Sequence, residues 1–291
     1  MRCTRGTAWR GFCRRLFLKK KRSATINLKD RVGIITGAGS GIGKAIALDF
    51  AKEGAGVVLI GRRESALQEV AREVENFKAQ AKIISADVSR AEDVERMVSQ
   101  TVDSFGRIDI LVNNAGTGVF SQVIDLEEAQ WNQIIRTNLT GAFLCAKAVL
   151  PRMIEREYGR IINISSVIWK RGRAGTAPYS ASKAGLVGFT RSLAWEVETK
   201  GITVNAICPG WVNTEMAARS ARTMASRYGV SSEEEMDIMK SLSPQQRIIE
   251  PEEVAYLASF LASDKAKGMT AQVIDISGIE PNYSGTRQRG I

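Results

Sequence analysis

The chain has 291 residues, 44% of them hydrophobic, enough to bury the core of one large α/β domain or two small ones. It has no histidine, which excludes Ser-His-Asp triads, Cys-His pairs and histidine-bearing zinc sites; its four cysteines (Cys3, Cys13, Cys145, Cys208) show no paired spacing, which argues against a disulfide framework or a metal cage and fits a reducing compartment. The net charge of +10 is concentrated at one end, because residues 1–28 hold nine basic residues and no acid, while the remainder holds 32 basic against 31 acidic residues and gives nucleic-acid binding no support.

The basic extension, residues 1–28, carries Trp9, Phe12, Cys13, Leu16 and Phe17 at i, i+3, i+4, i+7 and i+8, an apolar helical stripe with arginines around it. Two expectations stand side by side. One is a disordered basic tail on a cytoplasmic protein; the other is a mitochondrial transit peptide. Weak contact with anionic membrane or nucleic acid stays open for this tail only. No run of 18 or more apolar residues occurs, so no membrane span is predicted.

From Lys29 the pattern is regular. Arg31–Thr36 reads as a short apolar strand, followed by Gly37-Ala-Gly39-Ser40-Gly41-Ile42-Gly43 and a helical run from Lys44 to Glu53. Strand, glycine loop and helix are what a dinucleotide needs: glycines admit the pyrophosphate, and the helix N-terminus offers unpaired N–H groups. Gly56–Gly61 is a second strand. An acidic residue at its end would suit the ribose hydroxyl of NAD(H), but Arg62 and Arg63 stand there. Arginine suits a 2′-phosphate, so NADP(H) is favoured, with NAD(H) possible and two solvated arginines as the bland alternative. A helix over 64–77 leads to a third strand, Lys82–Ala86, ending at Asp87-Val88. Asp87 reads on its own as a cap, a role Ser89 also suits.

A helix over Ala91–Phe105 precedes a fourth strand, Ile110–Val112, and Asn113-Asn114-Ala115-Gly116. Residues 127–157 read as one long helix with Asn138 inside its apolar pattern; a polar amide there needs partners. A fifth strand, Ile161–Ser165, delivers Ser166. The loop Trp169-Lys170-Arg171-Gly172-Arg173 suits an anionic substrate arm or is simply solvated. Tyr179 and Lys183 then stand one helical turn apart at the start of a helix to residue 199. An ammonium beside a phenol would pull its pKa from about 10 toward 7, where proton transfer is efficient. A surface pair is the plain alternative. A sixth strand, Gly201–Cys208, ends in Pro209-Gly210-Trp211-Val212-Asn213-Thr214. Residues 215–245, with Met216, Met224, Tyr228, Met236, Met239 and Leu242, give an adaptable apolar wall or ordinary core packing. A helix from Pro251 to Ala262 and a last strand, Gln272–Ile276, complete the pattern. It predicts a single doubly wound, Rossmann-type α/β domain: a seven-stranded parallel sheet with helices on both faces. The domain is expected over 29–281, with a tail at 282–291.

Thr36-Gly37-x-x-x-Gly41-Ile42-Gly43, Asn113-Asn114-Ala115-Gly116, Ser166 thirteen residues before Tyr179, Tyr179-x-x-x-Lys183 and Pro209-Gly210 together resemble the short-chain dehydrogenase/reductase family over roughly residues 29–280. The resemblance implies Ser166, Tyr179, Lys183 and Asn138 as catalytic. Tyr179 would exchange a proton with the substrate oxygen, Lys183 would hold the ribose, and Asn138 would bend its helix and position a relay water. It implies cofactor contacts at Gly37, Ser40, Gly41, Ile42, Gly43, Asp87 and Val88, at Asn114, Ala115 and Gly116, and at Pro209, Gly210, Val212 and Thr214. Ser165 competes with Ser166; the interval of thirteen favours Ser166. Ser277-Gly278-Ile279 replaces the family's frequent Gly-Gly.

The resemblance implies interconversion of a carbonyl and a secondary alcohol by NADP(H), on a 3-oxoacyl or 3-hydroxyacyl substrate, with a thioester among the candidates. Pro209-Gly-Trp-Val-Asn-Thr-Glu-Met points to that branch. A sugar or polyol dehydrogenase is one alternative, and a non-catalytic NADP-binding protein another. A homo-oligomer, tetramer or dimer, is expected by analogy with the family.

Overall fold

The computed structural model describes residues 26–277 except 242 and 244. The expectations for residues 1–25 of the basic extension, for Leu242, for the tail and for Gly278-Ile279 fall on residues outside that range, whereas Leu28, the last residue of the extension, is buried in the core.

Seven parallel strands form one sheet in the order β3-β2-β1-β4-β5-β6-β7. They are β1 (Val32–Thr36), β2 (Gly56–Gly61), β3 (Ala81–Ser85), β4 (Ile110–Asn113), β5 (Gly159–Ile164), β6 (Ile202–Pro209) and β7 (Val273–Ile276). β1, β4, β5 and β6 are buried along their whole length, so their sequences are near-continuous apolar runs rather than alternations. Both faces are covered. Ile35 and Leu59 share a core with Phe50 of α1 (Gly41–Lys52), Leu67 of α2 (Glu64–Glu75) and Val254 of α9 (Pro251–Ala262). Ile34 and Val58 point the other way, toward Met97 of α3 (Ala91–Phe105), Val149 of α5 (Gly141–Glu155) and Leu193 of α6 (Ala177–Glu196).

The long helix expected over 127–157 is not continuous. α4 (Glu128–Ile135) runs into five residues of π-helix, Arg136–Thr140, before α5 begins. Asn138 lies in that π-turn, so the helix type changes at the position where the resemblance implies a bend. The segment after β6 folds as two helices, α7 (Glu215–Tyr228) and α8 (Ser232–Ser241), with Met224 and Met239 buried against Ala221.

β1 has β2 on one side and β4 on the other, so the chain reverses direction across the sheet between them. A crevice outside the carboxyl ends of the strands at such a point is where doubly wound sheets place ligands. The opposite end is closed by ion pairs. Asp109, fully buried just before β4, accepts hydrogen bonds from Val32 N at 2.9 Å and from Arg107 at 2.7 and 2.6 Å, with Arg31 3.6 Å away. The Tyr158 ring lies between the guanidiniums of Arg31 and Arg160, 3.7 and 4.4 Å from its centre, and its hydroxyl donates to Asp264 at 3.1 Å.

Candidate active site

The glycine loop is shaped for a close ligand. Gly37 has φ +68°, a conformation that L side chains seldom adopt. A Cβ on Gly43 would stand 2.2 Å from the carbonyl oxygen of Gly37, so only glycine lets the start of α1 lie against the end of β1. Ser40 precedes α1 in extended conformation, and its side chain makes no capping bond, which leaves the helix N-terminus to a ligand. Across the crevice, Thr214 caps α7, accepting from Ala217 N at 3.3 Å, and its methyl would lie 3.0 Å from a Cβ on Gly41. Val212 bridges to Ile249, and Gly210 donates to the carbonyl of Ile276 at 2.8 Å, which ties the Pro209–Thr214 turn to the sheet. The residues present therefore fit a dinucleotide.

Asn114 holds this cradle in place. Its amide donates to the carbonyls of Thr36 and Gly37 at 2.9 and 3.3 Å, while the Thr36 hydroxyl accepts from Asn114 N at 2.9 Å and Ala115 N at 3.0 Å. Asn113 donates to Asn163 at 2.9 Å, and Asn163 to Thr190 at 2.8 Å, a buried chain across β4, β5 and α6. Asn114 thus ties β4 to β1, and Asn113 ties it to β5. Arg62 and Arg63 are exposed at the end of β2. Asp87 feels the Arg62 charge: burial alone would push its carboxyl up, but two hydrogen bonds from Ser89 (2.9 and 2.7 Å) and the charges of Arg62 and Arg90 outweigh burial and hold it low. Val88 is buried and abuts Gly141 at the head of α5.

Tyr179 and Lys183 lie on the first two turns of α6, with Pro178 at the helix start. Lys183 is 4% exposed, its Nζ donates to the carbonyl of Ile164 at 2.8 Å, and it sits 5.6 Å from the centre of the Tyr179 ring. Burial pushes the Lys183 ammonium down to about 8. Burial pushes the Tyr179 phenol up to about 12, with a hydrogen bond to Ser166 pulling partly back. The lowering toward 7 expected from the spacing is not seen in this structure: burial dominates the phenol, and the Lys183 ammonium is turned to the carbonyl of Ile164. The phenol stays a proton donor at neutral pH. Ser165 is engaged elsewhere. Its buried hydroxyl donates to the carbonyl of Lys183 at 2.9 Å, so Ser166 is the serine that faces Tyr179.

Asn138, buried in the π-turn, clamps residue 117: it accepts from Thr117 N at 2.8 Å and donates to Thr117 O at 2.9 Å. It also donates to Ser182 Oγ at 3.0 Å, and Ser182 donates to the carbonyl of Tyr179 at 2.7 Å. Sequence reasoning missed Ser182, although its place beside Lys183 on α6 was a usable signal. A Cβ on Gly116 would lie 3.6 Å from Lys183 Nζ, so Asn138 fixes the loop that covers the tyrosine–lysine pair.

The basic loop after Ser166 is less free than its charge suggests. Lys170 pairs with Asp275 on β7, and Arg173 lies 3.9 Å from Glu235 of α8.

One consequence is a pH signature. With the Lys183 pKa lowered from 10.5 to about 8, the folded chain releases this proton before the unfolded chain does. The contribution is present above pH 10.5 and lost as pH falls through 8. Relative to Lys183→Met, the wild type is expected to gain stability between pH 8 and 10.5, on the order of 3 kcal/mol, with the difference flat below 8. Denaturant melts of both proteins across pH 7–10.5 measure it, and a constant difference would contradict the buried ammonium.

Residues 31–225 match the family model described as short chain dehydrogenase. A hydroxy(phenyl)methyl-succinyl-CoA dehydrogenase subunit, BbsD, of Thauera aromatica is 39% identical over 263 residues, 89% of this chain and 100% of that one. A 3-oxoacyl-acyl-carrier-protein reductase, FabG, of Staphylococcus epidermidis is 36% identical over 251 residues, 86% of this chain and 98% of its own. The crystal structure of a variant actinorhodin polyketide ketoreductase with NADPH superposes with a TM-score of 0.83 at 40% identity, covering 85% of this chain and 96% of that one.

Proposed function

The chain belongs to the short-chain dehydrogenase family, in its 3-oxoacyl reductase branch, a family of NAD(P)-dependent oxidoreductases; from that premise we propose that it reduces the ketone of a 3-oxoacyl substrate, with a thioester as the first candidate, using NADPH. The observation that carries this reading is the half-buried Tyr179 phenol, which interacts with Ser166, stands one helical turn from Lys183 and sets its ring against Gly118.

When bound, the nicotinamide supplies the hydride. The protein's own groups do the rest. Gly37 to Gly43 and the open N-terminus of α1 would receive the pyrophosphate, and Arg62 and Arg63 the 2′-phosphate. The Pro209–Thr214 turn lies opposite, where it would hold the nicotinamide end. The Ser166 hydroxyl donates to the substrate's carbonyl oxygen, and the Tyr179 phenol protonates that oxygen as charge builds on it. Lys183, held by Ile164, presents a positive charge beneath the tyrosine. Asn138 keeps the Gly116–Thr117 backbone over the pair. The methionine-bearing helix pair α7 and α8, read here as a lid over the substrate end, suits an apolar acyl arm.

The cofactor preference is tested by Arg62→Ala with Arg63→Ala. The KM for NADPH is expected to rise tenfold or more and that for NADH to change little, since a hydrogen bond to a charged group is worth about 1.5–3 kcal/mol. Equal effects on both cofactors would remove the arginines from the recognition. The substrate class is tested by absorbance of the reduced nicotinamide with acetoacetyl thioester, ethyl acetoacetate, a small diketone and a ketose. Turnover on the ketose alone would move the assignment to a polyol dehydrogenase.

A further inference from the structure

The lid carries a buried charge that the proposed mechanism does not use. α8 opens Ser232-Glu233-Glu234-Glu235; its first two acids are exposed, but Glu235 is 2% exposed. A carboxylate taken from water without a partner is costly, and one removed from its partner is strongly destabilising. Among the described residues, the Arg173 guanidinium stands within ion-pair distance, 3.9 Å away, in the loop between Ser166 and Tyr179. The Arg173 guanidinium also stands 5.8 Å from the ring of Trp211, directly after Pro209-Gly210. Trp211, Phe120 and Met236 pack on the Ala221, Met224 and Met239 cluster, and a Cβ on Gly175 would touch the Phe120 ring at 2.8 Å. The pair therefore joins three segments around the substrate end of the site: the loop after Ser166, the turn after β6, and the lid.

We propose that Arg173 and Glu235 determine substrate charge: they close this end of the site as a neutral pair, so that it accepts an uncharged keto substrate and rejects one carrying a carboxylate beside its ketone. An incoming carboxylate must compete with Glu235 for Arg173 and lie near a like charge in a poorly solvated wall. Removing the Glu235 charge alone leaves the Arg173 cation beside Trp211 without that carboxylate. Removing both charges restores a neutral wall. The inference rests on the carbonyl-reductase reading above.

The test compares kcat/KM for acetoacetate with that for ethyl acetoacetate, using NADPH and the full chain. The two substrates share the reacting ketone and differ in charge. In Glu235→Gln, which keeps the side-chain volume, the acid-to-ester ratio is expected to rise tenfold or more through a lower KM for acetoacetate. In Glu235→Gln with Arg173→Gln it is expected to return to within about threefold of the wild type. A ratio within twofold of the wild type in Glu235→Gln overturns the proposal. Amide hydrogen exchange over residues 232–241 is the second readout, independent of turnover. Faster exchange in Glu235→Gln than in wild type is expected, because the pair ties α8 to the loop at residue 173; unchanged exchange overturns the clasp. If the wild type reduces neither substrate, the carbonyl-reductase reading fails, and the exchange experiment alone decides whether the pair holds the lid.

Discussion

Tyr179→Phe is expected to lower kcat/KM for carbonyl reduction about 10³-fold while leaving NADPH affinity and melting temperature nearly unchanged. The size follows from what general acid catalysis contributes, roughly 10²–10⁴-fold. The selectivity follows from the geometry. Burial pushes the phenol up to about 12, so at neutral pH it is a fully protonated donor, and phenylalanine removes only that donor. The ring keeps its place at the start of α6, and Ser166 keeps its contact with Ile168 N at 3.4 Å. Lys183 is anchored to Ile164 rather than to the phenol, so the cofactor side of the site is not disturbed. Stopped-flow hydride transfer and NADPH fluorescence titration separate the two effects. A phenylalanine variant retaining more than a tenth of the activity would assign the proton to another group.

Asp109→Asn is expected to have the largest effect on stability, about 3 kcal/mol, at the end of the sheet away from the site. Asp109 is fully buried and receives both prongs of the Arg107 guanidinium, with Arg31 behind it and the amide of Val32 beside it. Asparagine keeps an acceptor for Val32 but turns an NH₂ group toward the guanidinium. Breaking one side of a buried pair typically costs about 3–5 kcal/mol. Arg107 and Arg31 are themselves about a quarter exposed and can turn to water, which places the cost at the lower end. For a domain of this size the melting temperature should fall on the order of 6–10 °C. Activity per folded molecule should not change. A variant that melts with the wild type would mean that the arginines are satisfied equally well by solvent.

Most of the fold was legible because a parallel sheet covered on both faces writes each strand as an apolar run between helical stretches. The seven strands lie where those runs stand, and Gly37, Gly41 and Gly43 mark the turn where backbone must approach backbone. The break in the helix over 127–157 was not legible as a π-turn. Ile134, Ile135, Leu139 and Phe143 keep an apolar spacing that passes through Arg136–Thr140 unbroken, and only Asn138 marks the place. The partners of Asn138, Thr117 and Ser182, are 21 and 44 residues away, a distance periodicity does not cross. The Tyr179-x-x-x-Lys183 spacing placed both groups on one face but could not say where the ammonium points. Its carbonyl partner, on Ile164, is backbone and has no sequence signature. The charge of the loop at 169–173 was read correctly, but not its neutralisation: Asp275 and Glu235 lie 105 and 62 positions beyond their cations and meet them only in the folded chain.

The proposed chemistry is tested most directly by following a label. NADPH carrying deuterium at the transferring position of C4 is mixed with the full chain and an acetoacetyl thioester, and the product is read by mass spectrometry and NMR. Deuterium on the carbinol carbon of a 3-hydroxyacyl thioester, formed by the wild type and lost in Tyr179→Phe, is the expected result. Tight NADPH binding with no labelled alcohol from this or any other ketone on the panel would contradict it, and would make the chain a cofactor-binding protein.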